Sequence, residues 1–537
     1  MNKIAGIAVG VVVAVGVIST AGAWYTGTRL PDVLKNAVEE ANQQGQDALL
    51  GTGFTAKMEL VSLETRLFTS TAHYRVRFDM PDNDDGPRHV EVLFVDNIEH
   101  GPLPFSRLKR LNLWPVMAAS NYQLEANEFT QQWFDAAKGA APLSGQGALG
   151  YDLSTSGTVA FAPLDFAPTP TSTVKFSGMT LDVKASEHAK KVVVTGSMDS
   201  LLIRGADSEE TPIQAELRGL TVDSDQHMGS GDFYLGDSRL NLATLQLNMG
   251  DKPPVLVKDV SQFGSLEEAS GLLAGRVGYD IGMVSYDGKD VAGMHMLWSM
   301  KNLDSGVIQS LIELYREKLT PIQNAQALDE EAPDVAFTPA EEERLKRDVE
   351  KLLSAKPQIA LEKYSINTSS GEASLSLHVD LNKPESFELP PPELAKQMIA
   401  QLDAKLSIDK AMIGDGVRAQ AQFEGQTDAK AIEDQAAMLT EMGSGMALGT
   451  GLLTLEGDAL KSSLHYANDK VTFNGQDMTV EEFALFVMSK ANGLGGGLGG
   501  DDQSEGYAPD EAYPEGGTSE EDLDQDDLQE PDAAQAQ

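Results

Sequence analysis

No cysteine occurs in the 537 residues, which removes disulfides, thiolate metal sites and thiol nucleophiles together and leaves packing as the source of stability. Positive charge is scarce as well: 41 lysines and arginines stand against 82 aspartates and glutamates, a formal net charge of -41. No basic run is long enough to neutralise a phosphate backbone, so nucleic acid is excluded as a partner. The acidic surplus keeps a folded body soluble and attracts divalent cations diffusely. Catalytic signatures are missing too. The eight histidines include no H-E-x-x-H pair, the spacing that sets two imidazoles on one helix face around zinc. There is no P-loop, and Gly229-Ser230-Gly231 and Gly443-Ser444-Gly445 lack the spacing of a nucleophile elbow and read as ordinary turns. Gly51-Thr52-Gly53 followed by Ala56 imitates a dinucleotide fingerprint but has no strand before it and no helix after it. The stretch ending at Gly86 opens like a calcium loop, yet Pro81 and Val92 stand where the first and last ligands belong; near the end, Asp522, Asp524 and Asp526 are followed by Asp527 and Ala533 in place of the glycine and glutamate. No catalytic residue, cofactor or metal site is assigned.

What is present begins at Ile4. From there to Trp24 the chain carries no charge, and only Ser19 and Thr20 are clearly polar. About 20 apolar residues suffice to cross a bilayer core, which favours an uncleaved anchor helix; the small residues Ala21-Gly22-Ala23 keep a cleaved signal peptide open as the rival. Lys3 holds the leading end in the cytoplasm, and Trp24 and Tyr25 suit the far interface, so the body lies outside. Gly6 and Gly10 have the spacing that lets two membrane helices approach, which leaves a homodimer open.

A composition of 41% hydrophobic and 6% aromatic residues fits a folded body. Leu30, Val33, Leu34, Ala37, Val38 and Ala41 recur on one helical face behind Pro31. The period then becomes two. Tyr74, Val76 and Phe78, a turn at Asp85-Gly86, and Val90 and Val92 predict a β-hairpin. Alternation continues through 172–185, 190–205 and 237–249; within the last segment the apolar phase changes, and a bulge at Ala243-Thr244 would keep Leu240, Leu242, Leu245, Leu247 and Met249 on one face. Ala373, Leu375, Leu377, Val379 and Leu381 form one apolar strand row, with His378 among the polar residues opposite, and Val417, Ala419, Ala421 and Phe423 form another.

Helices interrupt the sheet. Asp304 or Ser305 caps the stretch 306–319, Thr338-Pro339-Ala340-Glu341 is a capping box before the stripe Leu345, Val349 and Leu352, and the prolines 390–392 precede a helical run through Leu394, Met398 and Leu402. A turn at 467–470 and a cap of Thr479 with Glu482 follow. The expected fold class is α+β: an N-terminal transmembrane helix, then a large, mainly antiparallel β-sheet body with a few packed helices. The divisions are an anchor or signal peptide at 1–25, a body at 26–490 with candidate subdivisions near 320–340 and 384–392, and a Gly-rich linker and disordered acidic tail at 491–537. Met294, Met296, Trp298 and Met300 share one strand face and form the candidate apolar binding face, methionine being suited to irregular partners such as acyl chains; an ordinary core strand is the bland alternative.

Four segments carry a resemblance: "GAWYTG" at the end of the anchor, "IEHGPLPFSRLKRLNLWP" from Ile98, "KNLDSGVIQSL" from Lys301, and "VTFNGQDMTVEEF" from Val471. Together, from the anchor to about Ser489, they resemble the YdgA-like family of bacterial inner-membrane proteins facing the periplasm, named for a domain of unknown function. Its most specific piece here is His100-Gly101-Pro102, a fixed turn, and Asn302 and Asp304 belong to the third segment. Arg66-Leu67 departs from the arginine-glycine pair expected before the first hairpin, and the acidic tail is an addition. The resemblance implies location and architecture and supplies no reaction. The leading expectation is a non-enzymatic envelope protein, anchored in the inner membrane with its body in the periplasm, that binds lipid or an envelope client in an apolar groove. A structural scaffold, with the apolar face covered by helices around 305–353 and 393–402, is the alternative; a periplasmic hydrolase has no supporting motif.

Overall fold

The computed structural model describes residues 30–49, 54–79, 89–169, 171–206, 211–231, 233–327 and 337–494. The expected anchor at 4–24, the expected turn at Asp85-Gly86 and the acidic tail lie outside the described residues. Among those described, no helix is long and apolar enough to cross a membrane. Two compact units divide after Phe483, and the first holds every strand.

Helix α1 (Leu30–Leu49) turns Leu34 and Ala41 into the protein and packs Val38 beside them, as its periodicity predicts. Strands β1 (Thr55–Thr65), β2 (Thr69–Asp79) and β3 (His89–His100) follow. Asn42 fastens the helix to β1: its Nδ2 donates to the Met58 carbonyl at 3.0 Å, and the Met58 N–H donates to its Oδ1 at 2.6 Å. Only residues 50–53 join the two elements, so β1 runs back along the helix and brings Thr65 to the end where Leu30 begins. The expected hairpin is formed by β2 and β3 in continuous register, with Tyr74, Val76, Phe78, Val90 and Val92 all buried. Short helix α2 (Phe105–Lys109), β4 (Ala118–Glu125), α3 (Gln131–Ala136), β5 (Leu143–Leu149) and β6 (Thr155–Phe161) complete the region where the buried core is concentrated.

Inside that core sits a carboxylic acid. Asp96 is fully buried and accepts from the Ser120 hydroxyl at 2.7 Å, while its Oδ2 and the buried Tyr74 hydroxyl have no partner. Burial pushes the Asp96 carboxyl up to about 7, against the opposing pull of hydrogen bonds from Ser120 and the Asn121 backbone.

Beyond the core the strands lengthen. After β7 (Leu164–Phe166), β8 (Thr173–Phe176) and β9 (Met179–Ala185) come β10 (Lys191–Ala206), β11 (Pro212–Met228), β12 (Tyr234–Met249), β13 (Val255–Ala269), β14 (Leu272–Tyr286) and β15 (Lys289–Asp304). These six have 15 to 17 residues each, roughly 50 Å of strand. Helices α4 (Ser305–Ala327) and α5 (Pro339–Ser354) intervene before β16 (Gln358–Asn367) and β17 (Glu372–Leu381); α6 (Pro391–Met398) precedes β18 (Ile399–Asp409), and α7 (Ala411–Phe423) and α8 (Ala429–Gly449) precede β19 (Thr454–Glu456), β20 (Ala459–Ala467), β21 (Lys470–Phe473) and β22 (Gln476–Thr479). Among the described residues, all 22 strands belong to one antiparallel sheet. β15 pairs directly with β16 and β17 with β18, across the segments 320–340 and 384–392. The body is therefore mainly antiparallel sheet with several helices.

The caps form as expected: Thr338 and Glu341 make both bonds of the capping box, and Thr479 and Glu482 repeat them at the start of the last helix (Val480–Leu494). Four local expectations are corrected. The row Val417, Ala419, Ala421 and Phe423 is part of α7, because its alternation is built on alanine and glutamine, which favour helix and bring little branched bulk to a sheet. Leu402 lies in β18, since the helix after the prolines ends at Met398 and the period becomes two. Ser444 lies inside α8, its hydroxyl donating to the Thr440 carbonyl at 2.6 Å, rather than in a turn.

The fourth concerns the bulge at Ala243-Thr244. Pairing runs in constant register from β10 to β14 with no inserted residue. Instead, the apolar phase changes along a transverse line of small or left-handed residues: Gly219 at φ +67, Ala243, Asp259 at φ +52, and Gly282. A Cβ on Gly219 would come within 2.8 Å of the Ala243 Cβ, and one on Gly282 within 2.9 Å of the Asp259 Cβ. The sheet is creased there. A true bulge occurs in β16, where register shifts between Leu361 and Tyr364 and keeps both on the same face.

Candidate functional site

Cross-strand register assembles the apolar residues into rows that run perpendicular to the strands. The candidate residues Met294, Met296, Trp298 and Met300 do share one face of β15, and each heads a row. On β16 they meet Ile366, Tyr364, Leu361 and Ile359; β17 continues these with Ala373, Leu375, Leu377 and Val379, and β18 with Ile408, Leu406, Ala404 and Leu402. Every position of this four-by-four grid is apolar. In the other direction Met294 meets Ile281, Val260, Leu242, Leu220 and Met198 on successive strands from β14 to β10. Beyond the crease, Ala292, Val284, Val257, Leu245, Leu217 and Leu201 form a second unbroken row.

Few of these side chains are fully covered. Leu240, Tyr279, Trp298, Met300, Ile359 and Leu375 are each 36 to 41% exposed, and most of the remainder are half-buried. Beyond α1 and α3, the helices pack chiefly as the pairs α4 with α5 and α7 with α8, and α4 to α8 meet the sheet chiefly at β15 and β18. α7 also closes one end of the long strands: Gln422 donates to the Tyr286 carbonyl at 2.7 Å, and Phe423 lies 4.5 Å from the Tyr286 ring centre.

The opposite face is polar. Asp280 accepts from His295 at 2.5 Å, Asp403 pairs with His465 at 2.7 Å, and Lys363 with Glu372 at 3.0 Å. Burial raises Asp403, but hydrogen bonds from Gln401 and His465 outweigh it and hold the carboxyl below its ordinary value. His378 bonds Asp380 at 3.1 Å on this same side, as its place in the alternation predicts. Hollows of about 550 and 720 Å³ lie here, the smaller beside Asp259, Asp280, Asp290 and His295. Ser261 reaches Asp280 at 3.5 Å, so the carboxylate, not the imidazole, is the middle member of that chain. A serine nucleophile needs the imidazole in the middle to take its proton. Among the described residues no group of three or more His, Asp or Glu is placed to hold a metal.

The motif residues build turns and caps. His100 donates its N–H to the Phe68 carbonyl at 2.9 Å and meets the Ser70 hydroxyl with Nε2 at 3.0 Å. Gly101 precedes Pro102 in a cis bond, and its N–H donates to the Met117 carbonyl at 2.6 Å. A Cβ there would overlap the Val116 oxygen and lie 2.6 Å from the Met117 oxygen, so only glycine fits. The fixed turn expected at 100–102 is thus present, and a turn at 66–68 joins β1 to β2 despite Leu67. Asn302, at φ +59, donates to the Lys356 carbonyl at 3.1 Å; Asp304 caps α4 by accepting from the Val307 N–H at 3.0 Å and pairs with Lys351 at 2.8 Å.

A bacterial family described as a protein of unknown function (DUF945) matches residues 1–481. The chain belongs to that family. It is 27% identical over 509 residues to protein YdgA of Escherichia coli K12, covering 92% of this chain and 98% of the relative, in agreement with the YdgA-like resemblance. A second relative, the uncharacterized protein YihF of the same organism, is 23% identical over 498 residues, 89% of this chain and 97% of its own. An uncharacterized protein of Haemophilus influenzae is 29% identical over 150 residues, 28% of this chain and 39% of that one. No solved structure matches. For this DUF945 chain the β15 face was legible from sequence, whereas its continuation over β10–β14 and β16–β18 was not, because register between strands is not a local property.

Proposed function

We propose that the chain is a non-enzymatic protein of the bacterial envelope, anchored in the inner membrane by residues 4–24 with its body in the periplasm, and that its apolar sheet face holds the acyl chains of lipid. The observation that carries this reading is the unbroken Met294 row from β10 to β18, half-buried along its length except at Met198 and Leu242, which are covered. Monomeric proteins rarely leave so large an apolar surface in contact with water unless something binds there. Rows of flexible methionine and leucine suit chains of varied length and unsaturation. A scaffold with an ordinary core would need its helices over the rows, and α4 to α8 meet the sheet chiefly at β15 and β18.

Native mass spectrometry of the full chain, purified gently from the membranes of its host, tests the reading. Phospholipid or lipopolysaccharide adducts are expected, and they are expected to weaken when Met296→Gln and Trp298→Gln are combined, with unfolding midpoints checked alongside. A clean protein mass, or adducts indifferent to the substitutions, would refute it.

A further inference from the structure

Away from the sheet rows, six strongly exposed large apolar side chains gather. Leu67, Phe68, Phe105, Leu111, Leu113 and Trp114 are 63 to 84% exposed. They lie on two loops, 66–68 and 101–117, which His100 ties together: its N–H donates to the Phe68 carbonyl, and its Nδ1 lies 3.3 Å from the Leu67 carbonyl. Within 101–117 there is no acidic residue, while Arg107, Lys109 and Arg110 stand in it, in a chain whose net charge is -41. The Lys109 ammonium sits 4.6 Å over the Phe105 ring. Exposed aromatic rings with adjoining cations are the side chains that settle at a lipid headgroup boundary.

Position selects the same occupant. Asn42 touches Met58, and β1 runs back along α1. From Asn42 to Leu30 is about 18 Å of helix, and from Met58 to Thr65 about 23 Å of strand, so the 66–68 turn and the start of α1 lie at one end of the body. Only residues 25–29 separate Leu30 from the apolar run that ends at Trp24, and five residues span at most about 18 Å. The patch therefore lies where the chain enters the bilayer.

We infer that loops 66–68 and 101–117 form a foot that docks on the bilayer entered by residues 4–24, with Leu111, Leu113 and Trp114 inserted among the acyl chains and Arg107, Lys109 and Arg110 against anionic headgroups. The inference rests on the anchor reading proposed above.

The absence of cysteine makes the test direct. Full-length chains carrying one spin-labelled cysteine, at Leu113, Leu111, Asp225 or Ala14, are reconstituted into vesicles of phosphatidylethanolamine and phosphatidylglycerol. Collisions of each label with oxygen and with a water-soluble nickel chelate are then compared. Labels at Leu113 and Leu111 are expected to favour oxygen severalfold over the label at Asp225, with the preference reduced when Lys109→Glu and Arg110→Glu are combined. A label at Leu113 as aqueous as that at Asp225, while Ala14 is lipid-buried, overturns the foot alone; an aqueous Ala14 overturns the anchor beneath it. Strong dipolar broadening between Leu113 labels would mean that a second copy covers the patch, and would also overturn the foot.

Discussion

Replacing Asp96 by asparagine should change how stability depends on pH. The carboxyl is fully buried, and burial pushes it up to about 7, whereas in the unfolded chain it titrates near 3.8. A raised acid favours its neutral form in the folded state, so its contribution is intact below the unfolded value and is lost as pH climbs towards the folded one. At about 1.4 kcal/mol per unit, the loss is roughly 2 kcal/mol by pH 5 and roughly 4 kcal/mol once pH exceeds 7, where it levels off. The amide introduced by Asp96→Asn does not titrate and keeps an oxygen to accept from Ser120. Chemical unfolding of both proteins, read by tryptophan fluorescence, should show the variant gaining on the parent by roughly 3 kcal/mol between pH 5 and pH 8. Other acids titrate alike in both proteins and cancel in the difference. A difference that stays flat across this range would refute the reasoning, since it would mean that Asp96 is ionised at both pH values or that Tyr74 and its surroundings relax to solvate it.

Other perturbations have directions set by the geometry. Gly101→Ala drives a methyl into the Val116 and Met117 oxygens, and should destabilise the region by about 2 kcal/mol or more while opening the 101–117 loop to limited proteolysis; unchanged stability would show that the loop readily moves aside. Thr338→Ala removes a cap whose two bonds are both present and should cost about 1 kcal/mol in equilibrium unfolding. Gly219→Val puts a branched side chain at φ +67 against Ala243, and a lowered melting temperature together with loss of lipid adducts would locate the crease within the binding face.

Much of the fold was legible wherever pattern and neighbour were close in sequence. Helix α1, the β2–β3 hairpin, both capping boxes and the apolar side of β17 follow from periodicity and from caps three residues long. Misreadings arose where two periods compete. Leu394, Met398 and Leu402 are spaced four apart, as on a helix, although Leu402, Ala404, Leu406 and Ile408 already alternate as a strand. The phase change in β12 pointed to an inserted residue because a single strand does not reveal that its neighbours change phase along the same line. Asp96 follows Val90, Val92 and Phe94 in the two-residue alternation that turns it inward, but nothing local to it announces that one of its oxygens lacks a partner there.

Between β10 and β15 no more than five residues separate each strand from the next along the chain, and each pairs with the next. Such an array is modular. Removing or adding one hairpin returns the chain to the same direction and the same face, so the width of the apolar surface is free to vary in steps of two strands while the ends of the sheet stay as they are. Relatives that handle larger or smaller cargo would then differ by whole hairpins within this region, and an engineered chain lacking residues 212–249 should still pair β10 with β13 and present a narrower floor.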